Sequence, residues 1–320
     1  MTIDRRTLLA ASLAAVPASA AAAATPPPGE AIALWPGEAP GLTNRALTEV
    51  VPERSTTPGL SDRAVTGIRR PRMEVFRPAK PNGAAVLVIP GGGYARVVID
   101  KEGYELAAWL TERGFTAFVL FYRLPAEGWR DPANTPLADA QRAMRLIRSR
   151  AGRYGIDPAR VGVMGFSAGG HLCADLAVRH GRRVYSPVDA ADRLDARPMI
   201  AAPIYPVVSM DESIAHPGSR TNLIGATPTD SFIAEHSPDQ QVNKDTPPCF
   251  LAHAEDDATV PVANAIALHA ALKASGVPVE LHLFEKGGHG FGWGRRTIGL
   301  PAHLWPELWL AWAKGRGFGA

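Results

Sequence analysis

The serine at position 167 stands in a pattern that is typical of a catalytic nucleophile. The segment Gly165-Phe166-Ser167-Ala168-Gly169 follows the apolar run Val161-Gly162-Val163-Met164 and precedes a helical pattern. In a nucleophile elbow, a tight turn from strand to helix projects the serine hydroxyl above a sheet, and the glycines on either side leave room for that turn. The strand before and the helix after are the context that this motif needs. Ser167 is therefore the predicted nucleophile.

The base and the acid that such a serine requires occur further along the chain, in the order acid and then histidine. Three adjacent carboxylates, Glu255-Asp256-Asp257, follow the apolar run that opens at Cys249. His289 lies between glycines, directly after the run Val279 to Phe284. Triad partners are expected in this order, each after a strand. The sequence predicts His289 as the base, and at this point it leaves the acid open among the three carboxylates.

A glycine-rich segment can supply the hydrogen-bond donors that stabilise an oxyanion. The segment Pro90-Gly91-Gly92-Gly93-Tyr94 follows the apolar run Ala84 to Ile89. Glycines let backbone N–H groups approach a substrate oxygen because no Cβ stands in the way. We expect the donors to be the amides of Gly92 or Gly93 and of Ala168. The alternative, a phosphate-binding loop, would need a Lys-Ser/Thr ending that is missing here.

Strand-like and helix-like runs alternate along most of the chain, and these elements must position the site. The strand-like runs are Met73 to Phe76, Ala84 to Ile89, Phe115 to Tyr122, Val161 to Gly165, Met199 to Tyr205, Cys249 to His253 and Val279 to Phe284. The helical runs are Lys101 to Glu112, Leu137 to Arg153, Ala168 to His180, Val262 to Ala274 and Leu304 to Lys314. Such alternation predicts an α/β fold, a mostly parallel, doubly wound sheet with helices on both faces. The active site of such a sheet lies outside the carboxyl ends of its strands.

The chain divides into three predicted segments. Residues 1–24 are predicted to be an export signal, residues 25–70 an extended arm rich in Pro, Gly and Thr, and residues 71–320 one catalytic domain. Within the domain the alternation lapses at about 207–245, which predicts a short insertion packed over the active site.

The first segment has the features of a twin-arginine export signal. Arg5-Arg6 precedes a modest, Ala-rich apolar run, and Ala18-Ser19-Ala20 offers a small-residue cleavage site. The alternatives are an ordinary N-terminal helix and an uncleaved anchor. No other apolar run reaches the roughly 20 residues that a membrane-spanning helix needs. We therefore expect a periplasmic or secreted protein without a membrane span in its mature form.

Charge and cysteine content exclude several other functions. The formal net charge is +3 in 320 residues, and the basic pairs Arg69-Arg70 and Arg295-Arg296 stand isolated, so no nucleic-acid partner is expected. Cys173 and Cys249 are too few for a disulfide scaffold and have no metal-ligand spacing. We expect two buried, inert thiols, with a single disulfide as the alternative. The motifs require neither a metal nor an organic cofactor.

Several ordered segments between about Ala84 and Trp312 resemble a bacterial family of acetyl-xylan-esterase-like α/β-hydrolases. They are Pro90-Gly91-Gly92-Gly93-Tyr94, Asp100-Lys101-Glu102-Gly103, Asp139-Ala140-Gln141-Arg142-Ala143, Gly165-Phe166-Ser167-Ala168-Gly169-Gly170-His171, His253 to Pro261 and Gly287-Gly288-His289-Gly290-Phe291-Gly292. The resemblance implies the α/β-hydrolase fold and an acid that lies four residues after a histidine and shortly before Val-Pro. In this sequence that position is Asp257, ahead of Val260-Pro261. Pro90 departs from lipases of the hormone-sensitive type, which carry histidine there.

The resulting prediction is a serine esterase that removes acetyl groups from carbohydrate such as xylan or a xylo-oligosaccharide. Ser167 would attack, His289 would transfer the proton, Asp257 would orient His289, and Asp256 would brace the loop. Exposed Tyr94, Trp293 or Phe291 could stack on a sugar ring, and the alternative is that these aromatic side chains pack in the fold. Alternatives are a general short-chain or lipase-like esterase, a peptidase or thioesterase on the same triad, and a binding protein that keeps the fold without catalysis. The segment Tyr122-Arg123-Leu124-Pro125 is expected to form a structural brace with Asp139, and Asp139 and Glu102 are predicted to be structural carboxylates.

Overall fold

The structure is a computed structural model, and it describes residues 28–293 and 297–319. The predicted export signal at residues 1–24 and the basic pair Arg295-Arg296 lie outside the described residues.

Ten strands lie in the described part of the chain, and eight of them form one sheet. The strands are β1 (Glu30–Ala33), β2 (Ala64–Val65), β3 (Arg72–Phe76), β4 (Ala85–Ile89), β5 (Val97–Val98), β6 (Thr116–Phe121), β7 (Val161–Phe166), β8 (Ala201–Ile204), β9 (Cys249–Ala254) and β10 (Val279–Phe284). The spatial order in the large sheet is β1-β3-β6-β4-β7-β8-β9-β10. Strands β1, β3 and β6 pair antiparallel, and all pairs from β6 to β10 are parallel. The predicted mostly parallel sheet is confirmed.

Nine α-helices connect and cover these strands in the described residues. They are α1 (Glu105–Glu112), α2 (Thr135–Ser149), α3 (Ala151–Tyr154), α4 (Ala168–Arg179), α5 (Pro217–Ile224), α6 (Asp230–Glu235), α7 (Pro238–Gln241), α8 (Ala263–Ala274) and α9 (Trp305–Lys314). A π-helical turn at Asp100–Tyr104 precedes α1, where the sequence predicts one continuous helix. The helix predicted from Leu137 to Arg153 is divided at Arg150 into α2 and α3. No helix of the described residues is long and apolar enough to cross a membrane.

The centre of the sheet is buried on both faces. Every residue of β4, β6 and β7 is buried, which explains why these strands appear in the sequence as continuous apolar runs rather than alternating ones. The edge strand β10 is only partly buried. The loops that carry Gly91 and Ser167 therefore leave fully buried strands, β4 and β7, whereas the loop that carries His289 leaves the edge strand β10.

The segment predicted as an extended arm contributes to the sheet. Strand β1 pairs with β3 at the sheet edge, and the side chains of Ile32 and Leu34 are buried. The Trp35 indole N–H donates to Asp139 Oδ1 at 2.8 Å, and Asp139 is also paired with the buried Arg123 guanidinium at 2.8 Å. The sequence pattern missed β1 because a strand of four residues inside a Pro- and Gly-rich segment gives little periodicity. The expected brace between the segment Tyr122-Arg123-Leu124-Pro125 and Asp139 is present, and Arg123 is the residue that forms it.

The segment predicted as an insertion contains α5, α6 and α7, and it contacts the predicted site residues. The amide of Val207 donates to Ser167 O at 3.1 Å. The Asn222 side-chain amide donates to Gly93 O at 2.8 Å, which attaches α5 to the glycine-rich loop.

Both cysteines are free and buried, which agrees with the expected pair of buried thiols and not with the alternative of a disulfide. Burial raises the pKa of the Cys249 thiol to about 12 and raises that of Cys173 well above its usual value. Two protonated thiols in the core have little nucleophilic character.

Candidate active site

Ser167 occupies the turn between β7 and α4. Its backbone has φ 54° and ψ −119°, a conformation that residues with a side chain rarely adopt. The turn brings α4 close to the end of β4, because a Cβ on Gly169 would lie 2.3 Å from Ile89 O. The close approach of α4 to β4 therefore requires glycine at position 169, and the approach of α4 to β7 requires it at position 165, where a Cβ would lie 2.1 Å from Gly169 O.

The structure brings Ser167, His289 and Asp257 into one hydrogen-bonded chain. Ser167 Oγ lies 2.9 Å from His289 Nε2, and His289 Nδ1 lies 2.7 Å from Asp257 Oδ2. The two imidazole nitrogens thus have different partners: Nδ1–H donates to the carboxylate, and Nε2 accepts from the serine hydroxyl. This is the arrangement in which an imidazole can take the serine proton.

The three adjacent carboxylates have distinct environments. Asp257 is buried beside His289, and its Oδ1 accepts hydrogen bonds from the amides of Thr259 at 2.8 Å and Val260 at 2.9 Å. Asp256 Oδ1 instead accepts from the amides of Gly287 at 2.9 Å and Gly288 at 2.7 Å, in the loop that leads to His289. Glu255 is exposed. The contacts favour Asp257 as the orienting acid and Asp256 as a brace.

A second histidine contacts Asp257, and the sequence reasoning gave it no role. His253 Nε2 lies 3.1 Å from Asp257 Oδ2 and 3.1 Å from Val260 O, and the ring is fully buried at the end of β9. Burial by itself would raise the pKa of Asp257, but the hydrogen bonds from His253 and His289 and the nearby His289 charge hold that pKa well below its usual range. The carboxylate therefore stays charged at neutral pH.

The glycine-rich loop after β4 lies against the nucleophile. A Cβ on Gly91 would lie 2.9 Å from Ser167 Cβ, so only glycine allows this approach. The backbone amides of Gly92, Gly93 and Ala168 donate to no other residue in the part of the chain that the structure describes. Unpaired amides beside a nucleophile are suited to binding an oxyanion.

A buried carboxylate connects this loop to the histidine loop. Glu102 Oε2 accepts from the Gly91 amide at 2.8 Å, and Oε1 accepts from the Tyr205 hydroxyl at 3.0 Å. The Tyr205 hydroxyl in turn accepts from the Gly292 amide at 2.9 Å, and its ring packs against His289 with centroids 5.2 Å apart. Glu102 therefore has the structural position expected for it, whereas the part played by Tyr205 has no recognisable sequence motif.

The prediction that Tyr94 is exposed and contacts a sugar is wrong. Its side chain is only 1% exposed, and its hydroxyl lies 2.7 Å from His171 Nδ1. Residue 94 follows three glycines in a loop, which suggested exposure, but the loop folds inward and the ring packs against Tyr122. Trp293 is partly buried, with its ring 6.3 Å from that of His303. A sugar contact by Trp293 stays a prediction.

Tyr94 belongs to a buried group that we call the anchor cluster, formed by Tyr94, His171, Asp175, Arg179 and His236. His171 Nε2 donates to the carbonyl of His236 at 2.8 Å, so its Nδ1 is the acceptor of the Tyr94 hydroxyl. Arg179 pairs with Asp175 at 3.0 Å and reaches His236 Nδ1 at 3.4 Å. The cluster ties the glycine-rich loop and the insertion to α4.

Burial keeps both histidines of the anchor cluster neutral. It lowers the pKa of His171, and it lowers the pKa of His236 to about 4, where the nearby Arg179 charge acts in the same direction and Asp175 opposes it.

Among the residues that the structure describes, no group of three or more His, Cys, Asp or Glu side chains is placed to hold a metal ion.

Comparison with known proteins identifies similar enzymes. An acetylxylan esterase of Xylanibacter ruminicola is 34% identical over 227 residues, which are 70% of this chain and 44% of that protein. An endo-1,4-beta-xylanase B of Butyrivibrio fibrisolvens is 38% identical over 205 residues, which are 64% of this chain and 32% of that protein. The chain thus spans less than half the length of these two curated relatives.

A solved structure is similar over nearly its whole length. The acetyl ester-xyloside bifunctional hydrolase of Caldicellulosiruptor lactoaceticus is 33% identical, with a TM-score of 0.72, and the match covers 91% of this chain and 98% of that one. The predicted α/β-hydrolase fold and the resemblance to acetyl-xylan-esterase-like enzymes are confirmed. The BD-FAE family profile matches residues 73–272. This chain is therefore a member of the BD-FAE family.

Proposed function

We propose that this protein is a serine esterase that uses Ser167, His289 and Asp257 to remove acetyl groups from carbohydrate, as on xylan or a xylo-oligosaccharide. The observation that carries the proposal is the hydrogen-bonded chain Ser167–His289–Asp257, with distances of 2.9 Å and 2.7 Å, beside unpaired backbone amides.

In the first step His289 Nε2 takes the proton of the Ser167 hydroxyl while Oγ attacks the ester carbonyl carbon. The carbonyl oxygen becomes an oxyanion, which accepts hydrogen bonds from the amides of Gly92 or Gly93 and of Ala168. Asp257 stabilises the imidazolium through Nδ1–H. The C–O bond of the ester then breaks, the alcohol leaves with the proton from Nε2, and the acyl group remains on Ser167.

In the second step water replaces the alcohol. His289 Nε2 takes a proton from the water, whose oxygen attacks the acyl carbon, and the same amides bind the second oxyanion. Breakage of the acyl–Oγ bond returns the proton from Nε2 to Ser167, and the carboxylic acid leaves. The triad ends in its starting state.

The names of similar proteins support an acetylated carbohydrate as substrate. An acetylxylan esterase and an acetyl ester-xyloside bifunctional hydrolase share about a third of their aligned residues with this chain. The xylanase name belongs to a protein of which this chain covers 32%, so it carries less weight for this chain.

The acyl specificity can be measured with aryl acetate, butyrate and octanoate, together with acetate release from acetylated xylan and acetylated xylosides. Each CH₂ that an open apolar tunnel buries would add about 0.8 kcal/mol of transition-state binding, so an enzyme with such a tunnel would prefer the longer esters. We expect kcat/KM to fall from acetate to octanoate and acetate to be released from carbohydrate. Ser167→Ala is the control that should abolish both. A rise with chain length and no release from carbohydrate would favour a general lipid esterase.

A binding protein on the same fold is the competing class. It would keep the sheet but lack a reactive serine. A fluorophosphonate probe should label the natural protein, and labelling should be lost in Ser167→Ala. An unlabelled natural protein would favour the binding role.

Export through the twin-arginine route is also part of the proposal. Arg5-Arg6 and the Ala-rich run up to residue 24 support it. Replacing both arginines with lysine should retain the enzyme in the cytoplasm. Unchanged secretion of that double variant would exclude this route.

A further inference from the structure

His216, at the start of α5 in the insertion, has one imidazole nitrogen committed to the fold and one left over. Its Nδ1 accepts a hydrogen bond from the Ser219 amide at 3.2 Å and lies 2.8 Å from Ser219 Oγ. A backbone N–H can only donate, so Nδ1 carries no proton and the neutral ring holds its proton on Nε2. Within the described residues, no group accepts a hydrogen bond from that N–H.

The imidazole of His216 borders the glycine-rich loop beside the nucleophile. A Cβ on Gly93 would lie 3.8 Å from Cε1, the ring atom next to Nε2. Asn222 Nδ2 donates to Gly93 O at 2.8 Å and fixes the same helix to the same loop. His216 therefore lies against the loop that carries two of the expected oxyanion donors.

The ring is half-buried and remains uncharged near neutral pH. Burial is the main cause that lowers the pKa of His216; the His289 charge acts in the same direction and the Asp257 charge opposes them. A neutral ring with its acceptor nitrogen occupied offers one N–H donor in a fixed direction.

The chemistry of the substrate limits what this donor can contact. The acyl part of an acetate ester has one hydrogen-bond acceptor, the carbonyl oxygen, and the amides of Gly92, Gly93 and Ala168 are available for it. The other oxygens of an acetylated carbohydrate are on the alcohol portion. We propose that His216 is a specificity-determining residue, whose Nε2–H donates to a hydroxyl oxygen of the alcohol portion of the ester.

This inference rests on the proposed carbohydrate esterase activity and gives it a recognition residue. The quantity to measure is the specificity ratio, kcat/KM for an acetylated xyloside divided by kcat/KM for an aryl acetate. An aryl alcohol portion has no neighbouring hydroxyl, so the hydrogen bond can form with the xyloside alone.

Two substitutions separate the donor from the helix cap. His216→Asn keeps an N-cap side chain that can accept from the Ser219 amide, but its amide is too short to replace Nε2–H. His216→Gln places an N–H close to the position of Nε2 and gives a poorer cap. We expect Asn to lower the specificity ratio roughly 3- to 10-fold, the worth of one hydrogen bond, and Gln to keep it within about twofold.

A matched control is His282→Asn, which removes an imidazole that is bonded to Glu280 on the edge strand β10. It should leave the specificity ratio unchanged. A xyloside analogue in which hydrogen replaces the hydroxyl next to the ester should have a lower kcat/KM than the acetylated xyloside with the natural protein. The His216→Asn variant should hydrolyse the two compounds with equal kcat/KM.

The outcomes separate the two proposals. If the natural protein hydrolyses aryl acetate but releases no acetate from any acetylated xyloside, the carbohydrate esterase proposal fails and this inference fails with it. Two other results leave xyloside hydrolysis intact: His216→Asn lowers kcat/KM for xyloside and aryl acetate equally, or His216→Asn and His216→Gln lower the specificity ratio to the same extent. Either result overturns only the assignment of His216.

Discussion

Two clusters next to helix α4 combine histidine with aspartate and differ in what neutralises the carboxylate. Asp257 receives hydrogen bonds from the imidazoles of His289 and His253, and no Lys or Arg side chain of the described residues pairs with it. In the anchor cluster Asp175 has a permanent cation, Arg179, at 3.0 Å. The histidines there contact a tyrosine hydroxyl, a carbonyl and a guanidinium.

This difference determines which histidine can act as a base. A carboxylate with no permanent cation stabilises the imidazolium beside it when a proton arrives. In the anchor cluster burial outweighs the support from Asp175, and the Arg179 charge acts in the same direction as burial, so the two histidines remain neutral. The same residue types thus form a proton-transfer site in one place and a rigid support in the other.

The largest expected effect is on activity, from Asp257→Asn. The amide can donate to Nδ1 and so favour the tautomer with a proton on Nε2, which cannot take the serine proton. We expect kcat on an aryl acetate to fall by about 10³- to 10⁴-fold. Asp256→Asn is the matched control, because its carbonyl can still accept from the Gly287 and Gly288 amides. A large loss of kcat in Asp256→Asn together with a small loss in Asp257→Asn would show that the acid is assigned to the wrong residue.

The next effect is on stability, from Asp175→Asn. The buried Arg179 would lose its buried carboxylate partner and keep Glu235 at 3.2 Å, Asn134 at 2.7 Å and His236 Nδ1 at 3.4 Å. We expect the free energy of unfolding in urea to fall by about 3 kcal/mol, with a much smaller loss of kcat than for Asp257→Asn. Glu38→Gln, which breaks the exposed ion pair with Arg69, should lower stability far less, because solvent screens that pair. Equal losses from the two substitutions would contradict a supporting role for the anchor cluster.

The pH dependence of stability tests the neutral histidines of the anchor cluster. His236 has a pKa of about 4 in the folded protein, below the unfolded value of about 6.5, so between these values the unfolded chain binds more protons. Stability is therefore lost as the pH falls from about 6.5 towards 4, and the loss attributable to His236 at pH 5 is about 2 kcal/mol.

Urea titrations at pH 7.5, 6 and 5 can isolate this contribution. His236→Gln removes the titrating group while other ionisable residues stay the same, so the variant should lose less stability on acidification than the natural protein does. If both proteins lose the same free energy of unfolding between pH 7.5 and 5, His236 does not remain neutral in the folded protein.

The sequence carried most of the information on the central strands and on the loops that follow them. Buried parallel strands are continuous apolar runs, and the glycine patterns around Ser167 and His289 exist because the backbone there approaches other elements closely. These local constraints are visible in one dimension. The order of acid and histidine along the chain then reduced the candidates to a few residues.

The features that the sequence did not reveal depend on contacts between distant segments. Tyr94 is buried because His171, 77 positions later, accepts from its hydroxyl. Tyr205 connects Glu102 with Gly292 across the site, and β1 joins the sheet by pairing with a strand about forty positions away. Local periodicity carries no information on such distant partners. The position of Tyr94 in a glycine-rich loop therefore led to the wrong prediction that it is exposed.

The smallest expected effect concerns His253, which shares Asp257 Oδ2 with His289. We infer that it is a positioning residue, because its Nε2–H can hold the carboxylate in the rotamer that faces His289. In His253→Asn the side chain is too short for its N–H to reach the Asp257 carboxylate. His253→Gln should restore an N–H near the position of Nε2. The carboxylate keeps its two backbone donors in either variant, so the loss is limited: kcat should fall about tenfold in Asn and substantially less in Gln. KM for an aryl acetate should stay unchanged, since His253 is fully buried behind the triad. A purely structural role would lower the melting temperature of both variants without separating their kcat values, whereas a changed KM would place the effect in substrate binding.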